Sequence, residues 1–338
     1  MNYKISNDRL CAYWLLSCAV LVFLMALVGA ATRLTESGLS IVDWKPVTGA
    51  LPPIGTDAWD AEFAKYQTSP EYIKKNAGMS IDDFKSIFYW EWAHRLLGRL
   101  IGIFFAVPLL FFWVTNRVAD GYKYKFLGVL VLGGLQGVVG WWMVASGLID
   151  NPAVSHYRLA THLGLAVLLY AILLWMGLTL LRRDGALVME AVPAKNYLRP
   201  HGWVCLGLLA IAMIWGAFTA GLDAGLIYNE FPLMGGKFMP GEMWFLEPAW
   251  INLFENHASV QFLHRWLAIS TAALTLWFAW RMQAGALAAM VFVQVGLGIT
   301  TLLSGVFVPV AALHQAGALA TLGLLIYQLN RVSLAAQR

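Results

Sequence analysis

Four histidines of this chain sit inside or at the edge of long apolar runs, two in each half of the sequence. His94 lies in "EWAHRLLGRL", His162 in "LATHLGLA", His264 in "QFLHRWLAIS" and His314 in "AALHQAGALA". An ionisable group within an apolar span is costly and usually faces the interior of a helix bundle. Two imidazoles projecting from facing helices can take the two axial positions of one heme iron. Zinc is the weaker rival: no His-x-x-x-His or Cys-x-x-Cys lies near these positions, and few carboxylates are close in sequence. Arginines accompany the histidines. Arg95 follows His94, Arg99 lies one helical turn further on, and Arg265 follows His264. Guanidinium groups pair with carboxylates in bidentate fashion, so these arginines suit the propionates of a heme. They also suit the membrane interface, which lies at the same level.

The two halves differ at one informative place. Glu91 precedes His94 by three residues and shares its helix face, whereas Gln261 stands at that spacing before His264. A carboxylate beside a heme can act as a base or stabilise charge; an amide cannot ionise. The C-terminal pair therefore reads as a permanent electron-transfer heme, and the N-terminal pair as the place where chemistry is done. A helix-start carboxylate favoured by the macrodipole is the plainer reading of Glu91. The other three histidines are less telling. His156 lies in the loop-like "NPAVSHYR", and His257 lies two turns before His264, where it either touches a propionate or faces water. His201, in "LRPHGW", reads as an interfacial polar residue.

The elements that must position these residues are membrane helices. The 338 residues are 59% hydrophobic and 12% charged, with a mean hydropathy of +0.64, well above an ordinary soluble domain. Runs long enough to cross a ~30 Å hydrocarbon core recur along the chain, without the alternating pattern of a β-barrel. The fold class expected is an all-α polytopic membrane protein of about eight transmembrane helices in two tandem four-helix bundles. The spans fall near 12–32, 88–114, 124–146, 159–181, 202–222, 258–280, 285–306 and 309–330. The N-terminal bundle covers 1–181 with a long loop at 33–87. A linker covers 182–201, and the C-terminal bundle covers 202–338 with a loop at 223–257. A net charge of +4 with scattered basic residues gives no nucleic-acid stripe.

Lys4, Arg9, Arg117, Lys123, Lys125, Arg182, Arg183, Lys195, Arg199, Arg281, Arg331 and Arg338 all fall on one side. By the positive-inside rule both termini face the cytoplasm and both long loops face outward. The first apolar run lacks a small-residue cleavage site and reads as a retained helix. Cys11, Cys18 and Cys205 fall in or beside spans, so no loop disulfide is expected.

Internal likeness supports the tandem plan. "GAATRLTESGLSIVDW" parallels "GAFTAGLDAGLIYNEF", and "LQGVVGWWMVASG" parallels "VQVGLGITTLLSG". With an even number of spans per half the repeat is parallel rather than inverted, unlike many transporters. The loop segment "GLSIVDWKPVTGALPPIG" is expected to fold over the outer end of the N-terminal bundle. Asp43 and Trp44 within it read either as a cap on the site or as turn and interface residues. Residues 57–87 read as a short amphipathic region on the membrane.

"ESGLSIVDWKPVTGALPP", "EWAHRLLGRLIG", "YRLATHLGLA", "VQFLHRWLA" and "LHQAGALA", in this order and over nearly the whole chain, resemble the heme A synthase family. The long first loop without cysteines is similar to the form found in α-proteobacteria and mitochondria. The resemblance implies oxidation of the C8 methyl of heme O to a formyl group, giving heme A for cytochrome c oxidase. It implies one heme b ligated by His264 and His314 with Arg265 nearby. It implies heme O as substrate, held by His94 and His162 with Arg95 and Arg99, with Glu91 beside the reacting edge. It further implies a heme O synthase as donor, an electron acceptor of unknown identity and the bacterial inner membrane as location; a homo-oligomer is left open by the sequence. The runner-up is a diheme b-type cytochrome taking electrons from quinol without modifying heme. A heme carrier is the third reading.

Overall fold

The computed structural model describes residues 6–188 and 197–335. Lys4, Lys195, Arg338 and part of the 182–201 linker lie outside the described residues. The chain forms α1 (Asn7–Leu34), α2 (Thr56–Gln67), α3 (Pro70–Lys74), α4 (Ile81–Val114), α5 (Lys123–Gly147) and α6 (His156–Arg183). It continues through α7 (Leu198–Gly221), α8 (Asn252–Glu255), α9 (His257–Met282), α10 (Gly285–Leu303) and α11 (Val308–Ala335). No strand occurs among the described residues. The chain is an all-α polytopic membrane protein. Seven of its helices are both long and apolar enough to cross a bilayer. The eighth long one, α9, spans 26 residues; its Gln261, His264 and Arg265 lower its hydropathy.

Helix ends are set by local chemistry. Asn256 caps α9, its side-chain oxygen accepting from the amides of Ala258 and Ser259 at 2.9 and 3.1 Å. Ser80 caps α4, accepting from Asp83 N–H, with Asp82 and Asp83 in the first turn. At 34 residues, α4 is about 51 Å long. It therefore outruns the ~30 Å bilayer core, and its first turns stand among the loops.

The repeat reappears in the packing. In the first half, neighbours run α1–α4–α5–α6 and back to α1; in the second they run α7–α9–α10–α11 and back to α7. The histidine-bearing helices, α4 with α6 and α9 with α11, are thus diagonal partners across each square. The halves meet where α6 lies on α7 and where α11 lies on α1 and α6. This seam is partly polar. Gln315 donates to Ala26 O at 2.9 Å, Arg182 to Asn330 Oδ1 at 2.8 Å and Asn330 to Thr179 Oγ1 at 2.9 Å. At the end away from the long loops, Arg9 pairs with Asp184 at 2.6 Å and Arg183 with Asp8.

The first long loop is more structured than its Gly and Pro content suggests. Ile41, Trp59, Tyr66, Phe84 and Phe88 form a separate buried cluster in which α2 packs against the start of α4. Trp44 stacks on Trp141 of α5, with ring centroids 5.8 Å apart and planes 10° apart. The loop thus lies over one end of the first half, as its sequence led us to expect.

Candidate functional site

Each of the four histidines sits in a notch made by a glycine on another helix of its own half. A Cβ on Gly29 of α1 would lie 3.3 Å from His94 Nε2, and one on Gly140 of α5 would lie 2.8 Å from His162 Cε1. A Cβ on Gly216 of α7 would meet His264 Cε1 at 2.9 Å, and one on Gly298 of α10 would meet His314 Cε1 at 2.8 Å. The diagonal helices thus project the imidazoles, and the other diagonal pair supplies the space they need. Any side chain at these glycines would push into a ring.

One ring is also tied by a hydrogen bond, and two more have a glutamine amide beside the ring that holds the backbone carbonyl of the same histidine. His264 Nδ1 lies 3.0 Å from Ala212 O. A carbonyl only accepts, so Nδ1 carries the proton and Nε2 keeps its lone pair for a metal. Gln294 Nε2 stands 3.2 Å from His314 Nδ1 and donates to His314 O at 3.0 Å. Gln136 Nε2 stands 3.4 Å from His162 Nε2 and donates to His162 O at 3.1 Å. Among the described residues His94 has no hydrogen bond through its ring.

The imidazoles of His264 and His314 face each other with centroids 6.5 Å apart and planes 80° apart. Two metal–nitrogen bonds of about 2 Å, plus the distance from ring nitrogen to ring centre at each end, sum to about this separation. Among the described residues no cluster of three or more His, Cys, Asp or Glu side chains is placed to hold a metal ion. A tetrapyrrole brings four nitrogens of its own and asks the protein for only two. The donor set therefore fits a heme and not a bare ion. His94 and His162 have the same seats but make no ring contact of this kind among the described residues.

Glu91 and the arginines are engaged by the loops. Glu91 is 2% exposed. Its carboxylate accepts from Ser40 Oγ at 2.7 Å, Ile41 N–H at 2.8 Å and Arg95 at 2.6 Å. Arg95 also donates to Ile41 O at 2.9 Å and Asp43 O at 3.1 Å. Arg99 donates to Lys45 O and Pro46 O, both at 2.8 Å. The second half repeats the device. Gln261 donates to Tyr228 O at 3.0 Å, while Arg265 donates to Glu230 O, Pro232 O and Leu233 O at 3.0, 3.1 and 2.8 Å. The residues flanking each outer histidine thus fasten a loop over its site.

The sequence suggests propionates for these arginines; within the protein their guanidiniums meet peptide carbonyls and, at Arg95, the Glu91 carboxylate. Arg99 keeps one buried nitrogen, Nη1, without a protein partner. It lines a cavity of about 310 Å³ together with Lys45, Glu62, Phe88, Trp92 and Arg95. Asp43 is ion-paired with Lys65 at 2.9 Å and Lys45 at 3.4 Å. These lysines, Lys65 foremost, hold its carboxyl below the usual range.

The remaining histidines stand apart from the notches. His156 is buried at the start of α6, its ring 5.7 Å from that of Phe218 and its Nε2 3.6 Å from Glu255. His257 is exposed at the start of α9. His201 Nε2 lies 3.1 Å from Leu274 O, with the ring 4.6 Å from that of Trp277. Gln136, Gln294 and the four glycines were not singled out from sequence. The signal was present in the paired segments "LQGVVGWW" and "VQVGLGIT", which share Gln-x-x-x-Gly.

A family model described as cytochrome oxidase assembly protein matches residues 12–326. The heme A synthase of Rhodospirillum centenum is 53% identical over 330 residues, covering 94% of this chain and 87% of that protein. The heme A synthase of Parvibaculum lavamentivorans is 46% identical, covering 97% and 96%. That of Rhizobium meliloti is 47% identical, covering 95% and 89%. This chain belongs to the heme A synthase family of cytochrome oxidase assembly proteins. It is a member without loop cysteines: Cys11, Cys18 and Cys205 are buried free thiols in α1 and α7.

Proposed function

We propose that the chain is a membrane oxidoreductase that oxidises the C8 methyl of heme O to the formyl group of heme A, destined for cytochrome c oxidase. The observation that carries this reading is the repeated notch. Four histidines occupy equivalent, glycine-seated positions in two halves, and Glu91 of the first half stands where the second has Gln261. His264 and His314 hold heme b, and His94 and His162 hold the substrate. Heme b, when bound, supplies one-electron transfer. Water supplies the oxygen atom; converting methyl to formyl releases four electrons and four protons. Glu91 stabilises positive charge developing at the reacting carbon or receives a proton from the attacking water. A proton taken at Oε1, which accepts only from Arg95, would neutralise the carboxylate and weaken its hold on Ser40 and Ile41, so its chemistry is coupled to the grip on the first loop. Arg95 and Arg99 face the loop-side cavity, where Arg99 Nη1 suits a propionate. Arg265 serves the C-terminal site by holding its loop.

The same proposal divides the chain into bundles over 1–181 and 202–338 joined by 182–201. It places the protein in the bacterial inner membrane with both termini cytoplasmic, on the basic-residue bias. A heme O synthase is the natural donor, and an electron acceptor in or at the bilayer completes the circuit. The test is to express the chain with a source of heme O, extract the pigment and weigh it. An aldehyde-bearing heme is the expected product. Recovery of unchanged heme alone would point instead to a diheme cytochrome or a carrier.

A further inference from the structure

Helices α5 and α10 carry the same two residues one turn apart, Gln136 with Gly140 and Gln294 with Gly298. Residues four apart share a helix face, so amide and notch address one neighbouring helix. Each amide donates to the backbone carbonyl of the very histidine whose ring the glycine seats. The geometry points to Gln136 and Gln294 as positioning residues for the imidazoles of His162 and His314.

The contact is specific in three ways. It joins adjacent helices at the level of the ring, in a region where water does not compete for the carbonyl. It leaves each glutamine Oε1 buried without a protein partner, so the side chain keeps an acceptor beside the imidazole. A ligating histidine keeps its proton on the other nitrogen, so the amide N–H braces His162 and His314 through their backbone carbonyls rather than through a ring nitrogen. It is also built to be close: a Cβ on Gly317 of α11 would lie 2.2 Å from Gln294 Oε1, so the amide reaches against the backbone of α11. Gln315, next to His314, is an internal comparison. It too donates across helices, to Ala26 O at 2.9 Å, but among the described residues it bonds no imidazole.

This inference rests on the heme assignment proposed above. The full-length protein is purified with its heme, and two properties are measured: the low-spin electron paramagnetic resonance signal and the midpoint potential. Gln294→Met keeps the length of the side chain and removes the amide; it should shift both properties. Gln315→Met removes the comparison bond and should leave both at wild-type values. Gln136→Met should leave both unchanged and slow conversion of heme O severalfold. If Gln294→Met fails to accumulate, Gln294→Glu keeps the shape, exchanges the donor for an acceptor and carries the same readout. Unaltered signal and potential in the Gln294 variants would overturn the inference, as would an equal shift in Gln315→Met. Wild-type conversion in Gln136→Met would overturn it for the first half. A wild-type chain purified without heme would sink the heme assignment as well, which separates the two failures.

Discussion

The two halves share one helical square but hold their histidines differently. In the second half both rings are seated and their residues tied, His264 to a carbonyl and His314 to Gln294, and they face each other at 6.5 Å. In the first half His162 is tied by Gln136, while His94 is seated against Gly29 without a ring hydrogen bond among the described residues. The second half flanks His264 with neutral Gln261; the first flanks His94 with Glu91, bound to Arg95 and to the loop. A resident cofactor is best served by ligands that never yield. A molecule that enters and leaves at each turnover needs a contact that can let go. Under the proposed function, one repeated scaffold would supply both by changing which ring is braced.

The sharpest way to break this comparison is to remove a ligand from each half. His264→Ala or His314→Ala should abolish the heme b spectrum, whereas His94→Ala should leave it intact; the pyridine hemochrome of each purified variant decides. Filling a notch comes next. Gly298→Val places a side chain against His314, where even a Cβ would be 2.8 Å away, and should reduce heme b content severalfold. Gly207→Ala, where nothing lies within 4 Å, should leave it unchanged. Glu91→Gln keeps shape and loses charge. Heme content should persist while heme O oxidation falls by about 10²-fold, read as heme A formed per unit protein. Normal conversion would remove Glu91 from the chemistry.

The smallest effect concerns the first long loop, which carries α2 and α3. Glu71 of α3 is buried beside Tyr66, whose hydroxyl lies 3.0 Å from its carboxylate. Burial pushes its carboxyl up from 4.5 to about 7, with the Tyr66 hydrogen bond opposing and the charge of Glu91 adding. A pKa raised in the folded state stabilises the fold below the unfolded value and loses that contribution as pH rises through the folded one. Hydrogen-exchange protection of α2 and α3 should therefore fall as pH rises from about 4.5 through 7. Glu71→Gln should flatten the dependence, and an unchanged profile would dismiss Glu71 as its source.

Much of this was legible in the chain. Long apolar runs announce membrane helices because hydrocarbon leaves the backbone no other partner, and spaced histidines within them announce a site. The eighth helix was also readable, although its polar residues thin its hydropathy. Four things were not. A glycine in a membrane helix says nothing about whose ring lies opposite until the helices are assembled. A glutamine in an apolar run gives no hint of its acceptor. Arg95 and Arg265 also hold peptide carbonyls, and these belong to every residue and leave no trace in the sequence. The packed cluster of Trp59, Tyr66 and Phe84 was hidden for a similar reason: Gly and Pro mark a loop, but aromatic contacts within it depend on its path.

Those carbonyl contacts have a consequence for how the loops tolerate change. A guanidinium bound to peptide oxygens responds to the course of the chain and is indifferent to its lettering. Arg265 would hold the strip from Tyr228 to Leu233 after wholesale rewriting, provided the backbone kept its track. The first loop has no such latitude at Ser40, where Glu91 grips a hydroxyl, so the two loops would tolerate rewriting unequally.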